Sequence, residues 1–249
     1  MWKAYAESSA GAVRSDNQDY WLATELKGHR AESMLLCCVA DGLGGHQAGN
    51  VASKLAVLTL LDAVIAGLPE CVPGKALCDA FPIANSVVFR ESGLSDALHG
   101  MGTTLTAALL TDSSCSIAHI GDSRAYLLSG GALAGLTEDH SLVQDLLRQG
   151  RITRAEAEVH PQRHVLTRAL GIVGSVLCDS SEHILEPDDV LLLCTDGLTR
   201  VLSDAEIADI LASNVTGAAK ASALVALAME RGAPDNVTVV VAVREGSAR

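Results

Sequence analysis

Val39-Ala40-Asp41-Gly42-Leu43-Gly44-Gly45-His46 is the stretch on which the reading of the chain turns. Met34 to Ala40 (MLLCCVA) is a continuous apolar run, which predicts a short strand buried on both faces. One carboxylate, Asp41, closes the run, and glycines at 42, 44 and 45 follow it. Glycine lets other groups approach the backbone closely. A carboxylate beside exposed carbonyls at a strand end suits a hard, oxygen-seeking cation such as magnesium or manganese. The same residues also suit a tight turn in which Asp41 caps the following helix. The rest of the chain has to choose.

The 249 residues are enough for one large domain, and a chain of this length buries roughly 70% of its unfolded surface without a staple. Hydrophobic residues make up 49% and aromatic residues 3%, so the expected core is aliphatic. A net charge of -12 and a pI near 5.0 speak against a nucleic-acid partner, which would call for a basic face. The seven cysteines show no CxxC spacing and an odd count, so buried free thiols are expected rather than disulfides or zinc. The N-terminus carries no apolar signal segment, and the longest apolar helix pattern is broken by Ser53, Lys54, Thr59 and Asp62. The expectation is a cytoplasmic protein with no membrane association. A monomer is the default, since no heptad seam is present.

Working outward, residues 2–10 and 19–24 predict strands around the polar turn 11–19. Helices are expected over 46–66 and 75–92, with Pro82 kinking or restarting the second. Branched and apolar residues predict strands over 103–111, 114–120, 123–128 and 132–136. A helix is expected within 139–150, and 139–172 as a whole reads as a flap subdomain of a single domain spanning 1–249. Within it, Thr153 and Glu156 have capping-box spacing. Strands at 176–185, 190–194 and 236–243 and helices at 203–212 and 217–230 complete the chain.

The design around Asp41 recurs. Leu191 to Cys194 is apolar and leads into Thr195-Asp196-Gly197. Ile117 to Ile120 leads into Gly121-Asp122-Ser123-Arg124, and Pro234-Asp235-Asn236 precedes the last strand. One Asp-Gly turn is ordinary turn chemistry. Four aspartates converging on one rim would repel unless a cation neutralised them, which favours a multinuclear metal site.

The ordered segments 13–19 (VRSDNQD), 40–46 (ADGLGGH), 102–104 (GTT), 121–124 (GDSR), 195–197 (TDG) and 235–238 (DNVT) resemble the bacterial metal-dependent serine/threonine phosphatases of the PPM family, protein phosphatase type 2C. The resemblance runs from about residue 5 to residue 243. It implies an α+β fold, a four-layer αββα sandwich of two antiparallel sheets flanked by helix pairs. It implies two to three Mn2+ or Mg2+ ions. Asp41 would bridge two of them, with the Gly42 carbonyl on one and Asp196 and Asp235 on the other. Asp122 and Asp196 would hold a third. Arg14 would grip the substrate phosphate, Asp19 would orient water from behind the ligands, and Arg14, Asp41 and Asp196 would carry catalysis. The implied reaction is one-step hydrolysis of phosphoserine and phosphothreonine in proteins by a metal-activated water, opposing a serine/threonine kinase. The alternative is a non-catalytic phosphoprotein-binding module on the same fold, and a phosphatase of small phosphoesters is a further rival. The sequence departs from the family pattern at Gln18, where many relatives carry Glu, and at Leu43, where eukaryotic members carry His. The proton donor to the leaving group is thereby unassigned, with a metal-bound water preferred over His46. Around the flap, Arg163, His164 and Arg168 are expected in solvated or structural roles, with contact to substrate as the alternative.

Overall fold

The computed structural model describes residues 1–28, 32–44 and 48–245. His46 lies outside them. The apolar run before Asp41 belongs to β3 (Ser33–Leu43), and its continuity follows from where its two faces point. Leu36, Cys38 and Ala40 pack under helices, whereas Leu35, Cys37 and Val39 join Leu191, Leu193 and Val240 of a second sheet. Both faces are dry, so the strand has no place for a polar residue until it reaches its end.

The first sheet runs in the order β1 (Trp2–Ser9), β11 (Val237–Arg244), β10 (Val190–Cys194), β7 (Arg124–Ser129) and β8 (Ala132–Gly135). The second runs β2 (Asp19–Lys27), β3, β5 (Leu105–Leu110), β6 (Ser114–Ile120) and β9 (Asp179–Ile184), with the two-residue β4 (Gly102–Thr103) paired to the end of β3. All these pairings are antiparallel. Helices α1 (Ala48–Gly67) and α2 (Pro73–Ser92) cover the outer face of the second sheet, and α6 (Asp204–Ala212) and α7 (Gly217–Glu230) cover that of the first. The result is the expected αββα order of layers. Three clusters of mainly aliphatic residues fill it, one between the sheets and one beneath each helix pair. Although α1 is long and apolar enough to cross a bilayer, its Ala52, Ala56, Val57, Leu60 and Val64 are buried in this core. All seven cysteines are unpaired.

Residues 139–172 leave the first sheet after β8 and carry α3 (Leu142–Arg148) and α4 (Arg154–Glu158), the latter with the Thr153–Glu156 capping box formed. The segment closes on itself through the Thr167 N–H on the His140 carbonyl and the Leu142 N–H on the Val165 carbonyl, both 2.8 Å. The forked pair of Arg124 with Asp139 ties its start to β7.

Four local expectations change. The helix α2 runs through Pro82 without a break. Proline leaves the carbonyl four residues earlier without its helical donor, and here the Cys178 thiol approaches that Cys78 carbonyl at 4.0 Å. The strand expected at 103–111 divides at Thr104, whose hydroxyl serves Asp41 and Ser123. The strand expected from 176 begins at Asp179. Asp196-Gly197, for which an Asp-Gly turn is the ordinary reading, instead opens the short helix α5 (Asp196–Thr199).

Within β6, His119 is buried, shares a 2.8 Å hydrogen bond with the Thr106 hydroxyl and stacks on His140 at 4.7 Å. Burial first, and then His140, push its pKa down to about 3. A depressed histidine pKa means that the unfolded chain binds the proton more readily. Its contribution to stability is whole above pH 6.5 and is lost as pH falls toward 3, at about 1.4 kcal/mol per pH unit. Thermal unfolding followed from pH 7 to pH 5 should therefore show a smaller loss of Tm in His119→Asn than in the wild type.

Candidate active site

Strand register brings the first two carboxylates together. Asp19 at the start of β2 is the direct partner of Asp41 near the end of β3. Asp41 follows Leu35, Cys37 and Val39 by the two-residue period, so it continues the face turned toward the other sheet. Like charges directly opposite one another on neighbouring strands are destabilising. The other candidates come from the same rim. Asp122 sits between β6 and β7, Asp196 opens α5 after β10, and Asp235 precedes β11. Arg14, Asp41, Gly42, Asp122, Asp196 and Asp235 line one cavity of about 450 Å³, while Asp19 lies buried behind it. A larger groove of about 740 Å³ over Asn50, Lys54 and Leu58 of α1 has no such convergence of carboxylates.

Hydroxyls and amides hold these loops in place, and they explain the motifs around the aspartates. The Asp41 N–H donates to the Thr104 hydroxyl at 2.8 Å, and the Thr103 hydroxyl and Thr104 N–H donate to the Asp41 carbonyl. The Thr104 hydroxyl also meets Ser123 at 2.8 Å, which couples the GTT and GDSR segments. Asn236 is the hub of the first and last loops. Its amide donates to the carbonyls of Ala10 and Asp16, both 2.9 Å, and its side-chain oxygen accepts from the Gln18 N–H. Thr195 donates to Asp19 at 2.8 Å and accepts from the Thr238 N–H. Sequence reasoning did not assign Asn236, Thr104 or Thr195, since a polar residue in a turn gives no signal of its distant partner.

The electrostatics record the crowding. Burial, and then the charges of Asp19, Asp196, Asp122 and Asp235, push the Asp41 carboxyl well above the usual carboxylate range. Burial and Asp196 do the same to Asp122. Burial brings Asp196 up to about 6 with Arg200 pulling the other way, and it brings Asp19 up to about 7 against hydrogen bonds from Thr238 and Thr195. These are groups that want a cation. Arginines supply part of it. Arg14 is forked onto Asp235, with Nε to Oδ1 at 2.9 Å and Nη2 to Oδ2 at 3.0 Å. Arg200, absent from the sequence-derived site, pairs with Asp196 and reaches Asp235 at 2.8 Å.

Among the described residues, no three His, Cys, Asp or Glu side chains are grouped as a finished metal cage, and guanidiniums occupy oxygens of Asp196 and Asp235. The donor set nevertheless fits hard divalent cations. All the donors are oxygens, and Oδ1 of Asp19 and Oδ1 of Asp196 are buried without a hydrogen-bond partner. From the flap, His164 lines the cavity. Burial, and then Arg200 and Arg163, lower its pKa. Arg168 instead pairs with Asp179 at 2.6 Å, the structural role expected of it.

The protein phosphatase 2C family model matches residues 5–237. The chain belongs to that family. Among its protein phosphatase 2C relatives, the serine/threonine phosphatase stp of Listeria monocytogenes serotype 4b is 40% identical over 238 residues, covering 94% of this chain and 93% of the relative. The protein phosphatase PhpP of Streptococcus pneumoniae is 38% identical, covering 94% of each. Among solved members, the catalytic domain of the serine/threonine phosphatase PstP in complex with two manganese ions superposes with a TM-score of 0.84 at 37% identity, covering 97% of each chain.

The glycine that follows Asp196 is required by packing rather than by φ. A Cβ on Gly197 would lie 1.9 Å from the Asn236 carbonyl oxygen. Gly197→Ala should cost about 1–3 kcal/mol in thermal unfolding, as overpacking does. Gly135→Ala, whose Cβ would meet nothing nearer than 4.0 Å, should leave Tm nearly unchanged.

Proposed function

We propose that this protein hydrolyses phosphoserine and phosphothreonine in other proteins, opposing a serine/threonine kinase in the cytoplasm. One observation carries the reading: four aspartates from four different strand ends converge on one cavity with an arginine at its mouth. The catalytic reading is preferred to a phosphoprotein-binding module because this chain keeps all of these aspartates as well as Arg14.

Asp41, Asp196 and Asp235, with the Gly42 carbonyl, would hold two Mn2+ or Mg2+ ions, and Asp122 with Asp196 a third. Such ions supply a water of lowered pKa and neutralise charge developing on phosphoryl oxygens. The chain's own residues do the rest. Arg14, exposed at the cavity mouth and paired among the described residues with Asp235 alone, turns its planar fork to the substrate phosphate, where two parallel donors fix the angle of approach. Asp19, held by Thr195, orients the attacking water from behind the ligands. The rigid tethers from Thr103, Thr104 and Asn236 keep the ligands in position without reorganisation during the reaction. With Leu43 in place of a histidine, the cavity wall at that position offers no proton donor.

Turnover of a phosphothreonine peptide should require added manganese, stop with EDTA, and fall at least about 100-fold in Asp41→Asn and Asp196→Asn. Full activity of either variant would remove that residue from the site. Faster hydrolysis of sugar phosphates than of the peptide would transfer the reading to small phosphoesters.

A further inference from the structure

Arg200 is the residue after α5, and its N–H closes on the Asp196 carbonyl at 2.9 Å. That turn of backbone places its side chain back over the cavity. One guanidinium nitrogen meets Asp196 Oδ2, and Nη1 meets Asp235 Oδ2 at 2.8 Å. Only 26% of the side chain is exposed. With the Arg14 fork also in place, both oxygens of Asp235 and one oxygen of Asp196 are taken by guanidiniums. A divalent cation held by Asp235 needs an oxygen that a guanidinium occupies, whereas Asp196 still has its unpaired Oδ1 to offer beside the Arg200 contact. A guanidinium and a divalent cation so placed also repel each other in a partly desolvated cavity.

The two arginines differ in a way that separates their roles. Arg14 is 56% exposed and, among the described residues, is paired with Asp235 alone, so it can leave for solvent or for a phosphate. Arg200 bridges two candidate ligands from a position fixed by α5. The charges of Asp196 and Asp235 act on it most strongly, and those of Asp122 and Asp41 act in the same sense.

We propose that Arg200 is the built-in counter-ion of the metal-free site, and that divalent cations bind by displacing it. The inference rests on the metal site argued above. In this role the arginine does two opposing things. It compensates Asp196 and Asp235 when no metal is present, and it competes with the metal when metal arrives. The enzyme is thereby kept folded without metal, and its affinity for metal is held below what the carboxylates alone would give. An arginine that served packing alone would not couple these effects.

The test is calorimetric titration of the purified metal-free protein with MnCl2, paired with thermal unfolding with and without saturating manganese. Arg200→Ala should bind manganese about tenfold more tightly than wild type, lose Tm in the metal-free state, and gain more Tm on metal addition. Arg90→Ala, an exposed site on α2 paired with Glu91, removes the same formal charge and should bind as wild type does. If Arg200→Ala yields no folded protein, Arg200→Lys takes its place. It keeps the charge but lacks the bridging fork, and tighter binding than wild type supports the inference. Unchanged or weaker manganese affinity in the folded variant overturns it while leaving the metal site standing. Absence of manganese binding by wild type overturns the metal site and this inference together.

Discussion

Two carboxylates face each other across neighbouring strands, and the architecture of the active site follows from that conflict. Asp19 and Asp41 are paired in register at the rim of the second sheet, where both are turned toward the gap between sheets. An ordinary sheet avoids this arrangement. Here three more aspartates are brought to the same rim, and burial makes the charges of Asp41, Asp122 and Asp196 harder to keep. Carboxylates so arranged are destabilising unless cationic groups neutralise them, as at a centre built for function rather than for stability. Arg14 and Arg200 relieve part of the repulsion meanwhile.

Because the side chains at the centre repel, the surrounding backbone has to hold them. The tethers are short and mutual. Thr103 and Thr104 grip Asp41 at its N–H and carbonyl, Thr104 holds Ser123 beside Asp122, and Asn236 joins the loops before β2 and β11. Close backbone approach completes the assembly. Gly42 packs against the Gly49 carbonyl and Gly197 against that of Asn236, at separations that leave no room for a Cβ. The motifs around each aspartate are thus the means by which segments distant in the chain are fastened together. Their residue types follow from the bonds they make.

The central strands were legible because burial on two faces demands uninterrupted apolar runs, and β3, β10 and β11 satisfy it plainly, while the layering came with the family resemblance. Helix ends were legible where caps marked them, as at Ser203 and Thr153. The misread positions share a cause. Pro82 read as a kink or a restart, and the helix does not restart there; the thiol facing the Cys78 carbonyl lies a hundred residues away. Thr104 looked like strand because its hydroxyl partners are invisible along the chain. In the site, four aspartates and Arg14 stood out by their motifs. Arg200 did not, since an arginine after a helical turn usually faces solvent.

The amino-acid sequence by itself determined the family through its ordered motifs, the αββα layering only as what that resemblance implies, and, through local periodicity, which carboxylates stand at strand ends. Only the tertiary structure decided that Asp19 faces Asp41, that Asn236 and Thr104 are the fasteners, and that Arg200 bridges Asp196 and Asp235. The physical reason is that charge repulsion and hydrogen bonding act over a few ångströms of space. Strand pairing and the packing of the two sheets set those distances, and separation along the chain carries little information about them.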